Sequence, residues 1–309
     1  MSKDDRSFFI LFINNQLNMR QLRGIGKNFG ILSQLLLLFG IACVFFYLAV
    51  AILMLLGKTN ASDINSIRWL QLLQSVGIFI LPPFIFSYFC SEQPLDYLSL
   101  NKTTNSLAVR YVVLIMIVCI PFIDMFTYFN QQMQLPDAFS SIENWMKSME
   151  EEAARVTEQL LDVKGIDGLL LNLLLIALIP AFGEELFFRG TLQKIFNHWK
   201  KPQLAIWITA ILFSAFHLQF YGFLPRLLLG AFFGYLLWWS GSLWLPVIAH
   251  FVNNALAIIF SYINQQGIQI LDPNAVGQHG NIWLGIGSAV LSGYLILRLQ
   301  KNILSHTKS

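Results

Sequence analysis

An adjacent pair of glutamates interrupts an apolar stretch of this 309-residue sequence. Glu184 and Glu185 stand in the segment PAFGEELFFRG, directly after a leucine-rich run. In a helix, Arg189 lies one turn beyond Glu185 on the same face, so the two side chains can form an ion pair. Glu184 points about 100° away from that face. The spacing therefore predicts that Glu185 is the structural partner of Arg189 and that Glu184 is a free carboxylate.

Two further polar groups lie in separate apolar runs. FSAFH places Phe213 and His217 one helical turn apart, and HFVNN does the same for His250 and Asn254. Each group alone has an ordinary structural explanation, an interfacial histidine in the first case and hydrogen bonds between helices in the second. The coincidence of glutamates, two histidines and an asparagine on three apolar segments nevertheless favours one shared site. The other histidines fall in predicted loops or in the tail: His198, His279 and His306.

The residue types of this combined site indicate hydrolysis. A buried glutamate beside a histidine is suited to take a proton from water, and an asparagine can donate a hydrogen bond to a developing oxyanion. A glutamate with two histidines also matches a zinc site whose fourth position is left for water. The ligands of such a site would be Glu184, His217 and His250. The residue types alone leave both mechanisms open.

The order of the three motifs is itself informative. E-E-x-x-x-R, F-x-x-x-H and H-x-x-x-N, each in its own apolar helix, resemble the CAAX protease and bacteriocin-processing (CPBP) family of intramembrane proteases, whose best-known member is the Ras-converting CAAX endopeptidase. The resemblance covers about residues 180–260. Residues 1–165 carry no motif and agree only with the multi-span layout of the family.

The resemblance implies a role for each matching residue. Glu184 would be the general base that activates water, helped by His217, while Arg189 would hold the second glutamate of its motif. His250 and Asn254 would bind the carbonyl oxygen of the scissile peptide. Family members are described both as metalloproteases and as metal-free enzymes. We favour the metal-free mechanism without a cofactor, since asparagine suits an oxyanion donor better than a zinc ligand.

The composition places these residues in a membrane protein. The chain is 56% hydrophobic and only 12% charged, whereas a soluble domain carries about 25% charged residues. Its mean hydropathy is +0.59. The net charge of +3, from 20 Lys and Arg against 17 Asp and Glu, is too small to suggest nucleic-acid binding. We therefore expect the lipid bilayer and a membrane-associated or prenylated peptide or protein substrate as partners.

The pattern of apolar runs predicts an all-α, polytopic membrane helix bundle. A bilayer core of about 30 Å needs roughly 20 apolar residues as helix. Eight runs qualify or come close: 30–57, 69–90, 107–129, 168–190, 203–220, 224–240, 242–264 and 282–299. With the N-terminus inside, 14 of the 20 Lys and Arg residues fall on cytoplasmic segments. This bias predicts that both termini are cytoplasmic.

The predicted spans form one domain over 30–300, with the catalytic core at about 168–264. Residues 1–29 are expected to be a cytoplasmic or interfacial segment, and 301–309 a tail. The acidic segment 137–164 carries an apolar stripe and predicts an amphipathic surface helix. This helix is either a solvated connector or a substrate gate.

The predicted spans place the two main catalytic candidates at different depths. Glu184 is 16 residues into the span 168–190, and His217 is 14 residues into the antiparallel span 203–220. At 1.5 Å per residue these positions correspond to about 24 and 21 Å. In a core of about 30 Å the two groups would differ in height by ~15 Å, too far to share a water. We therefore predict one long helix over 168–198, with the motif residues converging on a water-filled cavity.

Three functions fit these observations to different degrees. An intramembrane endopeptidase uses the full set of polar residues. A non-catalytic membrane scaffold or bacteriocin-immunity-type protein could retain the fold, but would not need a complete set. A proton-coupled transporter could use buried Glu and His, but the sequence shows no inverted repeat or paired half-helices.

Overall fold

The structure is a computed structural model that describes residues 22–60, 63–163, 165–268 and 282–306. Within these ranges the regular structure is helical, without strands, as the composition predicts. Most of the predicted N-terminal segment 1–29, His279 and the end of the predicted tail lie outside the described residues. The helices are α1 Ile31–Leu55, α2 Ile64–Cys90, α3 Ser106–Val118, α4 Ile120–Gln131, α5 Ser140–Leu161, α6 Ile166–Trp199, α7 Pro202–Phe216, α8 Phe223–Ser240, α9 Trp244–Gln265 and α10 Ile282–His306, with a single-turn helix Pro94–Tyr97 after α2.

Every predicted span has a helix at its position, but fewer than eight of these helices are long and apolar enough by themselves to cross a membrane. In the described part of the chain, six helices are long and apolar enough to cross a membrane. The pair α3 and α4 makes a seventh if its 44° bend lies within one span. Pro121 stands in the first turn of α4, where it removes a backbone donor and favours the bend. The predicted span 203–220 is the 15-residue helix α7, only ~22 Å long.

α6 is the longest helix and carries the glutamate pair. It runs for 34 residues over Ile166–Trp199, so the prediction of one long helix over 168–198 is confirmed. Two π-helical segments, Leu173–Leu178 and Leu186–Leu192, flank the α-helical segment that contains both glutamates. Such widened turns are frequent at functional sites. Pro180 also lacks the N–H that would reach the carbonyl of Ile176, which leaves that carbonyl available to a neighbouring helix.

The hairpin of α6 and α7 removes the difference in depth between Glu184 and His217 that the predicted spans imply. Glu184 lies 15 residues before the end of α6 at Trp199, and His217 lies 15 residues after the start of α7 at Pro202. Both are therefore ~22 Å along their helices from the connecting turn. Lys200 makes that turn in the left-handed conformation, at φ 56°. The antiparallel geometry thus brings the two side chains to one level.

Glycines allow the neighbouring helices to approach the site closely. A Cβ atom at Gly183 of α6 would lie 3.0 Å from side-chain atoms of Phe79 and Ile80 in α2. At Gly230 of α8 it would lie 3.1 Å from the Phe213 ring and 3.2 Å from the guanidinium of Arg189. These distances are shorter than the contacts that real Cβ atoms normally make, so a larger residue at either position would push its neighbours away. The two positions therefore fix how near α2 and α8 stand to the glutamate pair.

The amphipathic helix predicted over 137–164 is α5. The carbonyls of its last two residues accept hydrogen bonds from Asn172 of α6 at 2.6 Å and from Gln265 of α9 at 3.0 Å. Near its start, Trp145 packs against Phe220 with ring centroids 5.3 Å apart. α5 is therefore attached to α6 and α9 at its end and packs on Phe220 near its start.

Candidate active site

A fully buried ion pair lies at the base of the site. Arg189 Nη1 stands 2.7 Å from Glu185 Oε1, and both side chains have 0% exposure. The second guanidinium nitrogen donates to the carbonyl of Gly230 in α8 at 2.9 Å. The guanidinium also lies over the ring of Phe213, at 4.3 Å from its centroid. The pairing has the i, i+4 geometry that the sequence predicts, and it joins α6 to α7 and α8.

His250 makes a second contact with the same carboxylate, which the sequence analysis did not foresee. Its Nδ1 lies 2.9 Å from Glu185 Oε1. An ionised carboxylate only accepts hydrogen bonds, so Nδ1 carries the proton and donates it to Glu185. The ring is further held by stacking on Phe233, with centroids 5.2 Å apart. Its other nitrogen, Nε2, is thereby aimed at Glu184.

Glu184 is the carboxylate that the structure leaves without a partner. Its Oε2 is buried and has no hydrogen bond among the described residues. His217 Nε2 lies 3.9 Å from this oxygen and His250 Nε2 lies 3.8 Å from it. These separations are too long for direct hydrogen bonds but can be bridged by one water. His217 is oriented by its Nδ1, which donates to the carbonyl of Phe213 at 2.8 Å.

Asn254 faces the same region from α9. Its Nδ2 lies 3.5 Å from the carbonyl of Ile176, the carbonyl whose usual donor is missing because of Pro180. Its Oδ1 accepts a hydrogen bond from Asn253 at 3.2 Å. The contact with Ile176 is at the limit of hydrogen-bond length, so the amide can turn toward a better acceptor.

A cavity of about 340 Å³ opens beside these side chains. His217, His250 and Asn254 line it, and Glu184 stands within 4 Å of both histidines. The structure therefore brings together the four residues that the motifs single out. Two charged side chains, Arg226 and Glu150, also line the cavity. Neither was predicted as a site residue from the sequence. Arg226 could have been found from the sequence, because it is a charged residue just inside the predicted span 224–240. The glutamates were selected for the same reason, since a charged residue within a membrane span is costly and usually functional.

The three potential zinc ligands stand farther apart than the ligands of a tetrahedral zinc site. Ligands about 2.0–2.1 Å from a tetrahedral zinc stand roughly 3.4 Å apart. The two Nε2 atoms lie 3.8 and 3.9 Å from the Glu184 oxygen instead. In the described part of the chain, no group of three His, Cys, Asp or Glu side chains is arranged to hold a metal ion.

Comparisons with known proteins agree with the resemblance found in the motifs. The family model of type II CAAX prenyl endopeptidase Rce1-like proteins matches residues 166–256, from the start of α6 into α9. The uncharacterized protein YpbD of Bacillus subtilis (strain 168) is 27% identical over 89 residues, which are 28% of this chain. The match spans 43% of that relative, less than half its length. No solved structure matches the chain at a significant level. The resemblance to this protease family is confirmed, over the part of the chain that carries the motifs.

Proposed function

We propose that the protein is an intramembrane endopeptidase that hydrolyses peptide bonds with a water activated by Glu184 and His217. One observation carries the proposal. The buried Oε2 of Glu184 has no hydrogen-bond partner in the described part of the chain, and two histidine nitrogens stand 3.8 and 3.9 Å from it. A water at this position would touch a base and lie beside the cavity that admits the peptide.

The proposed reaction uses these side chains in sequence. Glu184 takes one proton from the water while the water oxygen attacks the scissile carbonyl carbon, and the remaining O–H donates a hydrogen bond to His217 Nε2. The carbonyl oxygen becomes an oxyanion, to which the Asn254 amide donates. When the C–N bond breaks, Glu184 returns its proton to the leaving amine.

His250 needs a particular protonation state to stabilise the oxyanion. Because its Nδ1–H donates to Glu185 at 2.9 Å, its Nε2 can donate only when the ring is doubly protonated. We propose that Glu185 thus supports both Arg189 and the catalytic form of His250.

We further propose that catalysis is metal-free. The wide spacing of the three potential ligands supports this mechanism. Purified active protein should then contain far less than one equivalent of zinc, and incubation with a chelator should leave peptide cleavage unchanged. Stoichiometric zinc that is lost together with activity would contradict the proposal.

The substrates we propose are membrane-associated or lipidated peptides, including prenylated ones. The family match over 166–256 and the apolar helices around the site support this class. The test is cleavage of a library of membrane peptides by the purified wild type and by Glu184→Ala in parallel. The proposal expects cleavage by the wild type alone. Equal products from both proteins, or none from either, would instead support a non-catalytic scaffold.

A further inference from the structure

Arg226 is a charged side chain of the cavity that the proposed reaction does not use. It stands in the first turn of α8, within the stretch Phe220–Ser240, which is apolar enough to cross a membrane. It lines the same cavity as His217, His250 and Asn254. Ionisable side chains in such segments are costly and persist where they serve a substrate or ion. We therefore expect the positive charge of Arg226 to bind an anionic group.

In the described part of the chain, no carboxylate contacts the Arg226 guanidinium directly. Arg226 Nη2 donates to Gln219 Oε1 at 2.7 Å, and Nη1 donates to the Gln219 carbonyl at 3.3 Å. Both acceptors are neutral and use only part of the five donors of a guanidinium. Within the described ranges, no carboxylate oxygen lies within 4.0 Å of its nitrogens. Gln219 thus orients the guanidinium, and Glu150 and Glu184 act on its charge only from beyond ion-pair distance.

The surrounding residues leave room for the guanidinium in this position. A Cβ atom at Gly222 would lie 3.1 Å from Arg226 Nη2 and 3.6 Å from its central carbon, so a larger residue there would displace the group. Glu150 is the other charged side chain along the cavity. Its Oε2 accepts a hydrogen bond from the backbone amide of Tyr221 at 3.3 Å, outside ion-pair distance of Arg226.

We propose that Arg226 binds a carboxylate group of the peptide substrate close to the scissile bond. The carboxylate is the anion that an unmodified peptide carries, at its C-terminus or on an acidic side chain. A guanidinium holds such a group through two parallel hydrogen bonds. This inference rests on the proposed peptidase function and adds a substrate preference to it. Arg226 is then a specificity-determining residue that orients the peptide toward Glu184.

The test uses one peptide that the wild type cleaves in a Glu184-dependent manner, prepared in three forms. The first has a free carboxyl terminus, the second a C-terminal amide, and the third a C-terminal amide with aspartate as its last residue. For the wild type we expect kcat/KM to be about 10- to 100-fold higher for a carboxylate form than for the plain amide. The two carboxylate forms distinguish a terminal group from a side chain.

Arg226→Gln should reduce this ratio to about 1, and Arg226→Lys should give an intermediate value, because lysine keeps the charge but not the planar fork. Arg155→Gln is the matched control, since Arg155 is an exposed arginine paired with Glu152 on α5. It should keep the wild-type ratio. Each ratio is measured within one preparation, so the folded fraction of a variant cancels.

The outcomes separate the inference from the function on which it rests. A ratio near 1 in the wild type, or an unchanged ratio in Arg226→Gln, would overturn the carboxylate site while Glu184-dependent cleavage stands. If no membrane peptide were cleaved in a Glu184-dependent manner, the peptidase proposal would be overturned, and the inference would fall with it.

Discussion

At the scale of single residues, Glu185 is the acceptor that organises the polar side chains of the site. Its Oε1 receives hydrogen bonds from Arg189 at 2.7 Å and from His250 at 2.9 Å. The two donors come from different helices, α6 and α9, and Arg189 also reaches Gly230 on α8. One buried carboxylate therefore holds three helices in register around Glu184.

Removing Arg189 should destabilise the protein strongly. Arg189→Ala would leave the fully buried Glu185 without its cation, a loss that typically costs about 3–5 kcal/mol. Thermal unfolding in detergent measures the effect. Arg155→Ala removes an exposed partner, since the side chains of that pair are 49% and 53% exposed, and should change stability by less than about 0.5 kcal/mol. Similar losses in both variants would show that the buried pair is not a structural element.

At the scale of elements, the close crossing of α2 and α6 fixes the position of the glutamate pair. Gly183 stands next to Glu184, and a Cβ there would meet Phe79 and Ile80 at 3.0 Å and a backbone oxygen of Ser75 at 3.4 Å. α2 would have to move away to accept even a methyl group. The crossing is therefore specified by a glycine immediately before the catalytic candidate.

Gly183→Ala should lower both stability and activity. Overpacking of this kind usually costs about 1–3 kcal/mol, and the displaced α6 would carry Glu184 with it. Gly40→Ala is the matched control, because a Cβ at Gly40 of α1 has nothing within 4 Å. That variant should be neutral or stabilising by up to about 1 kcal/mol. Thermal unfolding and peptide cleavage of both variants provide the comparison. If the two variants behaved alike, the crossing would not be a constraint.

Contacts within one helix could be predicted from the sequence, whereas contacts between helices could not. The Glu185–Arg189 pair follows from a spacing of four residues, and the long α6 follows from the need to bring Glu184 level with His217. The bond from His250 to Glu185 depends on how α9 is rotated against α6, which no local pattern specifies. The length of α7 was overestimated for a similar reason. The predicted span continues to residue 220, although the helix ends at Phe216 and Leu218 adopts the left-handed conformation at φ 54°.

At the scale of the whole molecule, the short helix α7 decides the topology. α1, α2, the bent pair α3–α4, α6, α8, α9 and α10 give seven passages if each crosses once. An eighth passage by α7 would return the chain to the side on which it began. At ~22 Å, α7 is shorter than a bilayer core. Because it forms an antiparallel hairpin with α6, we expect it to run back toward the side from which α6 came.

We expect both termini on the same side, in the cytoplasm, because the Lys and Arg bias favours this orientation. Tags placed before Met1 and after Ser309 should both resist protease added outside intact cells and become accessible on permeabilisation. A tag in the loop between α1 and α2 serves as the control for external access. Opposite accessibility of the two termini would mean that α7 does not cross.

The most direct measurement compares Glu184→Gln with Glu185→Gln in one cleavage assay, with thermal unfolding of both. Glu184→Gln should fold like the wild type and lose at least about 100-fold in kcat, the contribution expected of a general base. Glu185→Gln should lower the unfolding temperature, because it weakens the buried bonds to Arg189 and His250. Full activity in a folded Glu184→Gln protein, with activity lost only in a folded Glu185→Gln protein, would contradict the assignment of the catalytic base.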